Sequence, residues 1–266
     1  MRYALGYARF REFIKQDREE KLKIIKLKEI DSTHNFAINM IENRSTFECG
    51  ILADIQTNGV GRCGRKWTSA PGNLYASVIK KLPQSKDICK ISLATECAVH
   101  KTVKNLLSPQ KKDLLYLHWP NDIYYKNKKL SGILLAVIGD WIVISVGLNI
   151  RSVSVSTATS LDEVIDVSDV SAEKLFYSFL NNLDNEIDLL RTDSFSGIRK
   201  YWIQNIVGMN SEVTIRNGND SLSGIVRGID EFGRLILECN DKKLYISSGD
   251  MFVNEKKIVV NYGEKK

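Results

Sequence analysis

The spacing of apolar residues between positions 23 and 150 is the feature that most constrains the fold. Apolar or alternating runs of strand length recur there, at residues 23–30, 50–56, 73–80 and, several times over, 114–150. Two intervening segments, 33–41 and 88–107, instead have the spacing of amphipathic helices. We therefore predict a mixed β-sheet with flanking helices, that is, an α+β fold.

The character of the sequence changes near residue 208. Before this point Ser171 can cap a further helix, in which apolar residues recur every four positions and form one stripe that is assigned to the core: Leu175, Phe179, Leu183 and Ile187. Afterwards come short β-rich runs separated by turn residues, at 211–217, 222–230, 233–239 and 242–248. These changes predict a loosely held N-terminal extension, a large domain and a small barrel, over residues 1–22, 23–207 and 208–266.

Composition is that of an ordinary globular protein, with 43 % apolar and 26 % charged residues in 266 positions. No stretch approaches the roughly 20 apolar residues that a membrane span requires. Arg2 and Arg9 stand where a signal peptide would have its apolar core. The five cysteines show no CxxC pairing, which favours reduced cytosolic thiols over a zinc site. We expect a cytoplasmic protein with no membrane partner.

A glycine-rich basic loop separates two of the predicted strands, at residues 57–67. Residues 59–64 match GxGxxG, but a strand-like run follows instead of a helix, and Gln84 stands where a dinucleotide site would have an acidic residue. The loop also carries three cations and ends on an aromatic residue: Arg62, Arg65, Lys66 and Trp67. Such a loop suits a polyphosphate, and a solvent-exposed hairpin tip is an equally good interpretation.

A second polar cluster, HWPND, occupies residues 118–122. Pro120 favours an extended residue before it, and the Asn-Asp pair after it favours a turn. Seven residues later Lys129 stands beside apolar Leu130, so its ammonium group can be held at the mouth of a buried strand. Taken alone, the cluster favours an ordinary strand-to-turn junction.

Taken in order, these segments resemble the biotin–protein ligase family. The matching segments are Ser32-Thr33, Gln56 ahead of GVGRCGRKW, GNLYAS, HWPND, KKLSGILL, VGLN and TSL. The family has a Ser-Thr pair, a GRGRRGRxW loop, KWPND and a K-[LI]-[AS]-G-I-L strand at these places. GIVRGIDEFGRLIL also resembles the family's C-terminal domain. The resemblance implies a class II synthetase-like catalytic domain followed by a small SH3-like β-barrel.

The same resemblance implies an activity in two steps. The biotin carboxylate attacks the α-phosphate of ATP, which gives biotinyl-AMP and pyrophosphate, and a lysine of a carrier protein then attacks the mixed anhydride. Mg²⁺ would arrive with the ATP phosphates, so no protein metal site is expected. The partner would be a biotin carboxyl carrier protein or biotinoyl domain of a carboxylase such as acetyl-CoA carboxylase.

Site residues follow by motif position, with Lys129 and Arg62 as the catalytic candidates. The biotin-binding candidates are Ser32, Thr33, His34, Gln56, Gly59, Gly61, Arg62, Lys129 and Gly132. The ATP-binding candidates are Arg62, Arg65, Trp67, Asn121, Asp122, Lys129 and Asn149. A helix-cap role is the alternative for Ser32 and Thr33.

Four positions depart from the family motifs. Val60 and Cys63 replace two arginines of the basic loop, which therefore has two fewer charges. His118 replaces the lysine of KWPND, and a packing role is the favoured interpretation. His34 stands where asparagine is usual after the Ser-Thr pair, on the side of the site that binds biotin.

Two other functions compete with this interpretation. A lipoate–protein ligase would share the general fold and the adenylate chemistry, but the basic loop and the SH3-like tail argue against it. The net charge of +6 also suits a nucleic-acid-binding module. The N-terminal segment is too short for the winged-helix domain of repressor members, so no specific DNA binding is expected; a homodimer stays open.

Overall fold

The computed structural model describes residues 22–82, 87–151, 153–192 and 194–253. The predicted N-terminal extension therefore lies outside the described residues, apart from residue 22. Within these ranges no helix is long and apolar enough to cross a membrane. The described chain packs as two compact units. The first comprises residues 22–82, 127–151 and 153–181, and the second comprises 87–126, 182–192 and 194–253.

The strands, in chain order, are β1 Lys23–Ile30, β2 Cys49–Gln56, β3 Leu74–Lys81, β4 Leu115–His118, β5 Asp122–Tyr125, β6 Lys128–Ile138, β7 Trp141–Leu148, β8 Glu212–Asn217, β9 Asp220–Ile229, β10 Leu235–Cys239, β11 Lys242–Ile246 and β12 Asp250–Val253. The α-helices are α1 Thr33–Glu42, α2 Ile88–Lys104, α3 Pro109–Lys112, α4 Ala172–Arg191 and α5 Phe195–Asn205. Within the described residues, short 3₁₀ helices span Arg62–Gly64 and Leu161–Glu163.

The first unit is built on a mixed sheet with the strand order β1-β2-β3-β7-β6. β1 and β2 are parallel, because α1 connects them, whereas the other neighbouring strands in this unit are antiparallel. The apolar face of α1 packs on the sheet, and the shared core consists of Ala37, Met40, Ile41, Cys49, Ile51, Ile79 and Val143. The predicted mixed sheet with flanking helices is confirmed.

The second unit contains α2, the β4–β5 hairpin, α5 and the C-terminal strands. Trp202 of α5 is fully buried, and its indole N–H donates to Glu96 of α2 at 2.8 Å. The last five strands form one antiparallel sheet in the order β11-β10-β9-β8-β12. The sheet matches the predicted SH3-like tail, although no β11–β12 pairing closes it into a barrel within residues 208–253.

Several element predictions are confirmed, whereas helices α3 and α5, strand β12 and the short 3₁₀ helices were not predicted. The helix after Ser171 is α4, and its predicted core stripe is buried. α2 ends at Lys104 instead of residue 107. Helix α5 was not predicted, although Phe195, Ile198 and Trp202 have helical spacing and are buried. Strand β12 was also missed. The predicted domain boundary near residue 207 stays a prediction.

Candidate active site

Thr33 and Gln56 contact each other at the start of α1. The backbone N–H of Thr33 donates to Oε1 of Gln56 at 2.9 Å, and the Thr33 hydroxyl donates to the same oxygen at 3.2 Å. Ser32 is fully buried and caps the helix, because its Oγ accepts from the backbone N–H of Asn35 at 3.4 Å. The cap role expected as an alternative for Ser32 is therefore present.

Two hydroxyl groups of the sheet extend this contact. Ser77 on β3 donates to Thr33 Oγ1 at 2.9 Å, and its Oγ lies 2.8 Å from Oγ of Ser145, its register partner on β7. Nδ1 of His34 lies 2.8 Å from the same Ser145 oxygen. Thr33, His34, Ser77 and Ser145 are all buried. A continuous row of hydrogen bonds therefore runs from His34 to Gln56.

Burial also determines the charge of His34. Removal from water disfavours the imidazolium and lowers the pKa of His34 from its ordinary value of 6.5 to about 4. The ring is therefore neutral at neutral pH, and one of its nitrogens is a donor while the other is an acceptor.

The basic loop has the form of a hairpin tip, which was one of its two expected interpretations. Gly61 N–H donates to the Arg65 carbonyl at 2.7 Å, and Val60 and Lys66 form an antiparallel bridge. The 3₁₀ turn at the tip includes Cys63 with φ of 53°, a left-handed conformation. Arg62 is partly exposed and Arg65 is exposed.

Gly59 joins the base of this loop to Gln56. A Cβ on Gly59 would lie 2.7 Å from Ser69 Oγ and 2.9 Å from Gln56 Nε2, so the close packing requires glycine. Gln56 Nε2 donates to Ser69 Oγ at 3.1 Å, and the Ser69 hydroxyl donates to the Trp67 carbonyl at 3.2 Å. The hydrogen-bonded row thus continues into the loop.

The Trp67 indole lies over two glycines that face each other on neighbouring strands. Gly132 of β6 and Gly147 of β7 are register partners. A Cβ would fall 2.9 Å from the ring at Gly132 and 2.5 Å from it at Gly147. The indole Nε1 is buried and has no hydrogen-bond partner among the described residues. We call the two glycines the tryptophan seat.

Lys129 lies beside this seat. Its Nζ is 5.4 Å from the centroid of the Trp67 ring and would lie 3.3 Å from a Cβ on Gly132. The Lys129 backbone exchanges hydrogen bonds with residues 157–159, since its N–H donates to Thr157 and its carbonyl accepts from Thr159. These two hydrogen bonds fix the backbone of Lys129 at the start of β6.

Asn149 follows β7 and is 4 % exposed. Its side-chain amide donates to the Thr159 carbonyl at 3.0 Å, and its backbone N–H donates to the Leu130 carbonyl at 3.0 Å. Both contacts hold the segment around Thr159 against β6, so Asn149 supports the strand that carries Lys129.

The HWPND cluster belongs to the second unit. Trp119 is 3 % exposed, which agrees with packing, and its bond to Pro120 is cis. The His118 ring stacks on Tyr124, with centroids 4.3 Å apart and an interplanar angle of 15°. Asn121 and Asp122 follow at the turn into β5.

The first unit thus joins His34, Thr33, Gln56, Gly59, Trp67, Lys129 and Gly132 by direct contacts. Gly61, Arg62 and Arg65 lie on the same hairpin as Trp67.

The sequence analysis did not predict four residues of the site, which are Ser69, Ser77, Ser145 and Gly147. For Ser77 and Ser145 the signal was a lone hydroxyl within an apolar strand, since such a group needs a partner when buried. Within the described ranges no group of three His, Cys, Asp or Glu side chains could hold a metal ion.

Two family models match the chain. The Biotin/lipoate A/B protein ligase family matches residues 28–150, and the Biotin protein ligase C terminal domain matches residues 208–253. The bifunctional ligase/repressor BirA of Salmonella typhimurium is 30 % identical over 224 residues, which cover 79 % of this chain and 67 % of that protein. The chain belongs to the biotin protein ligase family.

Other relatives agree with this membership. The biotin–[acetyl-CoA-carboxylase] ligase of Mycobacterium tuberculosis is 28 % identical over 207 residues, which cover 76 % of this chain and 77 % of that protein. The biotin protein ligase of Aquifex aeolicus, solved in complex with biotin and ATP, has a TM-score of 0.73 at 24 % identity. That match covers 87 % of this chain and 98 % of the Aquifex chain, and it shows that the fold is the biotin protein ligase fold.

Proposed function

We propose that this biotin protein ligase attaches biotin to a lysine of a carboxylase carrier protein and uses ATP to do so. One observation carries the proposal. In a chain of this family, a row of neutral hydrogen-bonding groups runs from buried Thr33 through half-buried Gln56. It continues through Ser69 to the carbonyl of Trp67, at the end of the basic loop, and the Lys129 ammonium group lies beside the Trp67 ring. A neutral polar head group and a carboxylate are chemically suited to the two ends of this arrangement.

The first step joins two anions, and this is the chemical problem that the site has to solve. A carboxylate oxygen of biotin attacks the α-phosphorus of ATP, and the bond from that phosphorus to the bridging oxygen breaks as pyrophosphate leaves. Lys129 is proposed to contact the carboxylate and the α-phosphate, because a cation at that point offsets the repulsion between them. Holding both substrates supplies the entropic part of the rate enhancement.

In the second step the amine of the carrier lysine attacks the acyl carbon of biotinyl-AMP. The bond from that carbon to the phosphate oxygen breaks, AMP leaves, and the nitrogen loses a proton. The anhydride must be kept from water between the steps. Arg62, at the exposed tip of the hairpin, is proposed to close over it.

The remaining assignments stay proposals. Ser32, Thr33, His34, Gln56, Gly59, Gly61 and Gly132 are proposed for the biotin side, and Arg65, Trp67, Asn121, Asp122 and Asn149 for the ATP side. Mg²⁺ accompanies the ATP phosphates and keeps several waters, so it needs no protein cage. The division into a catalytic domain, 23–207, and a C-terminal domain, 208–266, is proposed as well.

Location and partners are proposed from the same chemistry. All five cysteines are free thiols, which suits a reducing cytoplasm. The carrier is proposed to be a biotin carboxyl carrier protein or biotinoyl domain. Specific DNA binding is not proposed, and a homodimer is a question for measurement of the mass in solution.

The test compares biotin with lipoate as substrates for ATP-dependent pyrophosphate release. Release with biotin and not with lipoate supports the proposal, whereas preference for lipoate would favour the related ligase. Thermal shift gives a second readout, because a ligand at 100 times its Kd stabilises the folded protein by about 2.7 kcal/mol.

A further inference from the structure

The hydrogen bonds between His34 and Gln56 have a defined direction. The backbone N–H of Thr33 can only donate, so the Gln56 atom that it contacts at 2.9 Å must be the oxygen. That oxygen cannot donate, so the Thr33 hydroxyl, 3.2 Å away, uses its proton on Gln56. Every hydroxyl has one proton, and this assignment therefore propagates along the row.

Ser77 must next donate to Thr33 Oγ1, because the Thr33 proton is already used. Ser145 must then donate to Ser77, since the two oxygens are 2.8 Å apart and the Ser77 proton is used on Thr33. Finally, the contact at 2.8 Å between Ser145 Oγ and His34 Nδ1 requires a proton on Nδ1. If the donors and acceptors were reversed, the Thr33 hydroxyl would donate to Ser77 and could not also donate to Gln56.

We infer that His34 is a positioning residue that acts through its Nδ1–H tautomer. This inference rests on the proposed function. The Nδ1–H group of His34 donates the first hydrogen bond of the row. Because the Thr33 proton is used on Gln56, Thr33 Oγ1 can only accept a further hydrogen bond. A ligand group that carries an N–H donor, such as the cyclic urea of biotin, is then matched to this oxygen, and a ligand acceptor is not.

A histidine can therefore stand in a position where asparagine is usual. The side-chain nitrogen of asparagine lies at the same distance from the backbone as Nδ1 of histidine, and it also donates. Both residues can therefore start the row. The side-chain amide of glutamine lies one bond farther out, near the place of Nε2, and does not replace this donor.

The tautomer is measured directly in the ligand-free parent protein by long-range ¹⁵N–¹H correlation NMR of the imidazoles. The His34 signals are assigned by their absence from the spectrum of His34→Asn. We expect Nδ1 of His34 to be protonated and Nε2 to be unprotonated. Protonation of Nε2 alone would overturn the inference. This readout does not depend on catalysis or on biotin.

The role in binding is measured as KM for biotin and KM for ATP in pyrophosphate release. We expect His34→Asn to keep KM for biotin close to the parent value. His34→Gln and Ser145→Ala should raise it about fivefold to tenfold, the equivalent of one lost neutral hydrogen bond, with KM for ATP unchanged. Thr95→Val is the control, since it removes a buried hydroxyl of α2 that lies outside the row.

Equal KM values for biotin in His34→Asn and His34→Gln would overturn the inference, as would an unchanged value in Ser145→Ala. Failure of the proposed function has a different signature. In that case the parent protein itself would release no pyrophosphate with biotin, while the tautomer of His34 would still be measurable.

Discussion

The Trp67 indole lies so close to Gly147 that a Cβ at this position would be 2.5 Å from the ring. The ring covers the seat formed by Gly132 and Gly147, and Lys129 Nζ is 5.4 Å from its centroid. The packing of the Trp67 side chain therefore connects the end of the basic loop to the strand that carries Lys129, the proposed catalytic cation.

The seat gives a prediction for Gly147→Ala. The added methyl group must displace the indole or the strand, and we expect a loss of about 1–3 kcal/mol in the free energy of unfolding together with reduced pyrophosphate release. In a Trp67→Ala background the same substitution should cost much less, because the two residues are in contact. Denaturant unfolding of the four proteins gives the coupling energy.

Gly197→Ala is the matched control for this cycle. Gly197 lies in helix α5, and a Cβ there would meet nothing within 4 Å. This substitution should stabilise the protein by about 0.5–1 kcal/mol, because alanine loses less backbone entropy than glycine in a helix. Equal losses at positions 147 and 197 would contradict the seat.

Lys129→Ala should reduce adenylate formation about 100-fold to 1000-fold, as expected when a group that stabilises developing charge is removed. The fold should be retained, since Lys129 is only partly buried. Lys128, the exposed neighbour on the same strand, provides the control, and Lys128→Ala should leave the rate unchanged. A normal rate of pyrophosphate release in Lys129→Ala would make this lysine structural.

Arg62→Gly should increase the escape of biotinyl-AMP into solution, because the hairpin tip would lose a cation that can close over the anhydride. Val60 and Cys63 leave this loop with little redundancy in charge. Lys66→Ala, on the same hairpin, should not have this effect. Chromatography of the reaction after filtration measures the free adenylate, and equal amounts from Arg62→Gly and the parent would refute the closing role.

Much of this site was predictable where a signal is local in sequence. Ser32 is followed by helical spacing, so its cap position could be read directly. Gly139-Asp140 is a two-residue turn between β6 and β7, and that turn alone determines that Gly132 faces Gly147. The pairing of Gly132 with Gly147 could therefore have been predicted from turn chemistry, whereas the packing of Trp67 on both residues could not.

Other contacts depend on pairings that no local signal determines. Ser77 and Ser145 meet across β3 and β7, which are 68 residues apart at this point. Their register follows from the packing of the whole sheet. The contact between Thr33 and Gln56, which are 23 residues apart, likewise depends on tertiary packing. Helix α5 was missed because Gly197 and the preceding turn weakened an otherwise helical pattern.

Stability should depend on pH through two buried histidines. Burial lowers the pKa of both His34 and His100 from 6.5 to about 4. The unfolded chain therefore takes up protons between these values while the folded chain does not, so stability is complete above the unfolded pKa and falls as pH drops toward the folded pKa. The loss should reach about 2 kcal/mol for each histidine by about pH 5.

Urea midpoints of the parent and of His34→Asn between about pH 7 and pH 5 measure this dependence, and the variant should lose less stability over the interval. Parallel curves for the parent and His34→Asn would contradict the assignment.

The central claim is tested most directly by mixing the purified chain with ATP, Mg²⁺, biotin and a biotin carboxyl carrier domain, and measuring the intact mass of the carrier. The account predicts that the carrier gains one biotinyl group, that the gain requires ATP, and that it is lost when the carrier's target lysine is replaced by arginine. An unchanged carrier mass, under conditions in which a known biotin protein ligase modifies the same carrier, would contradict it.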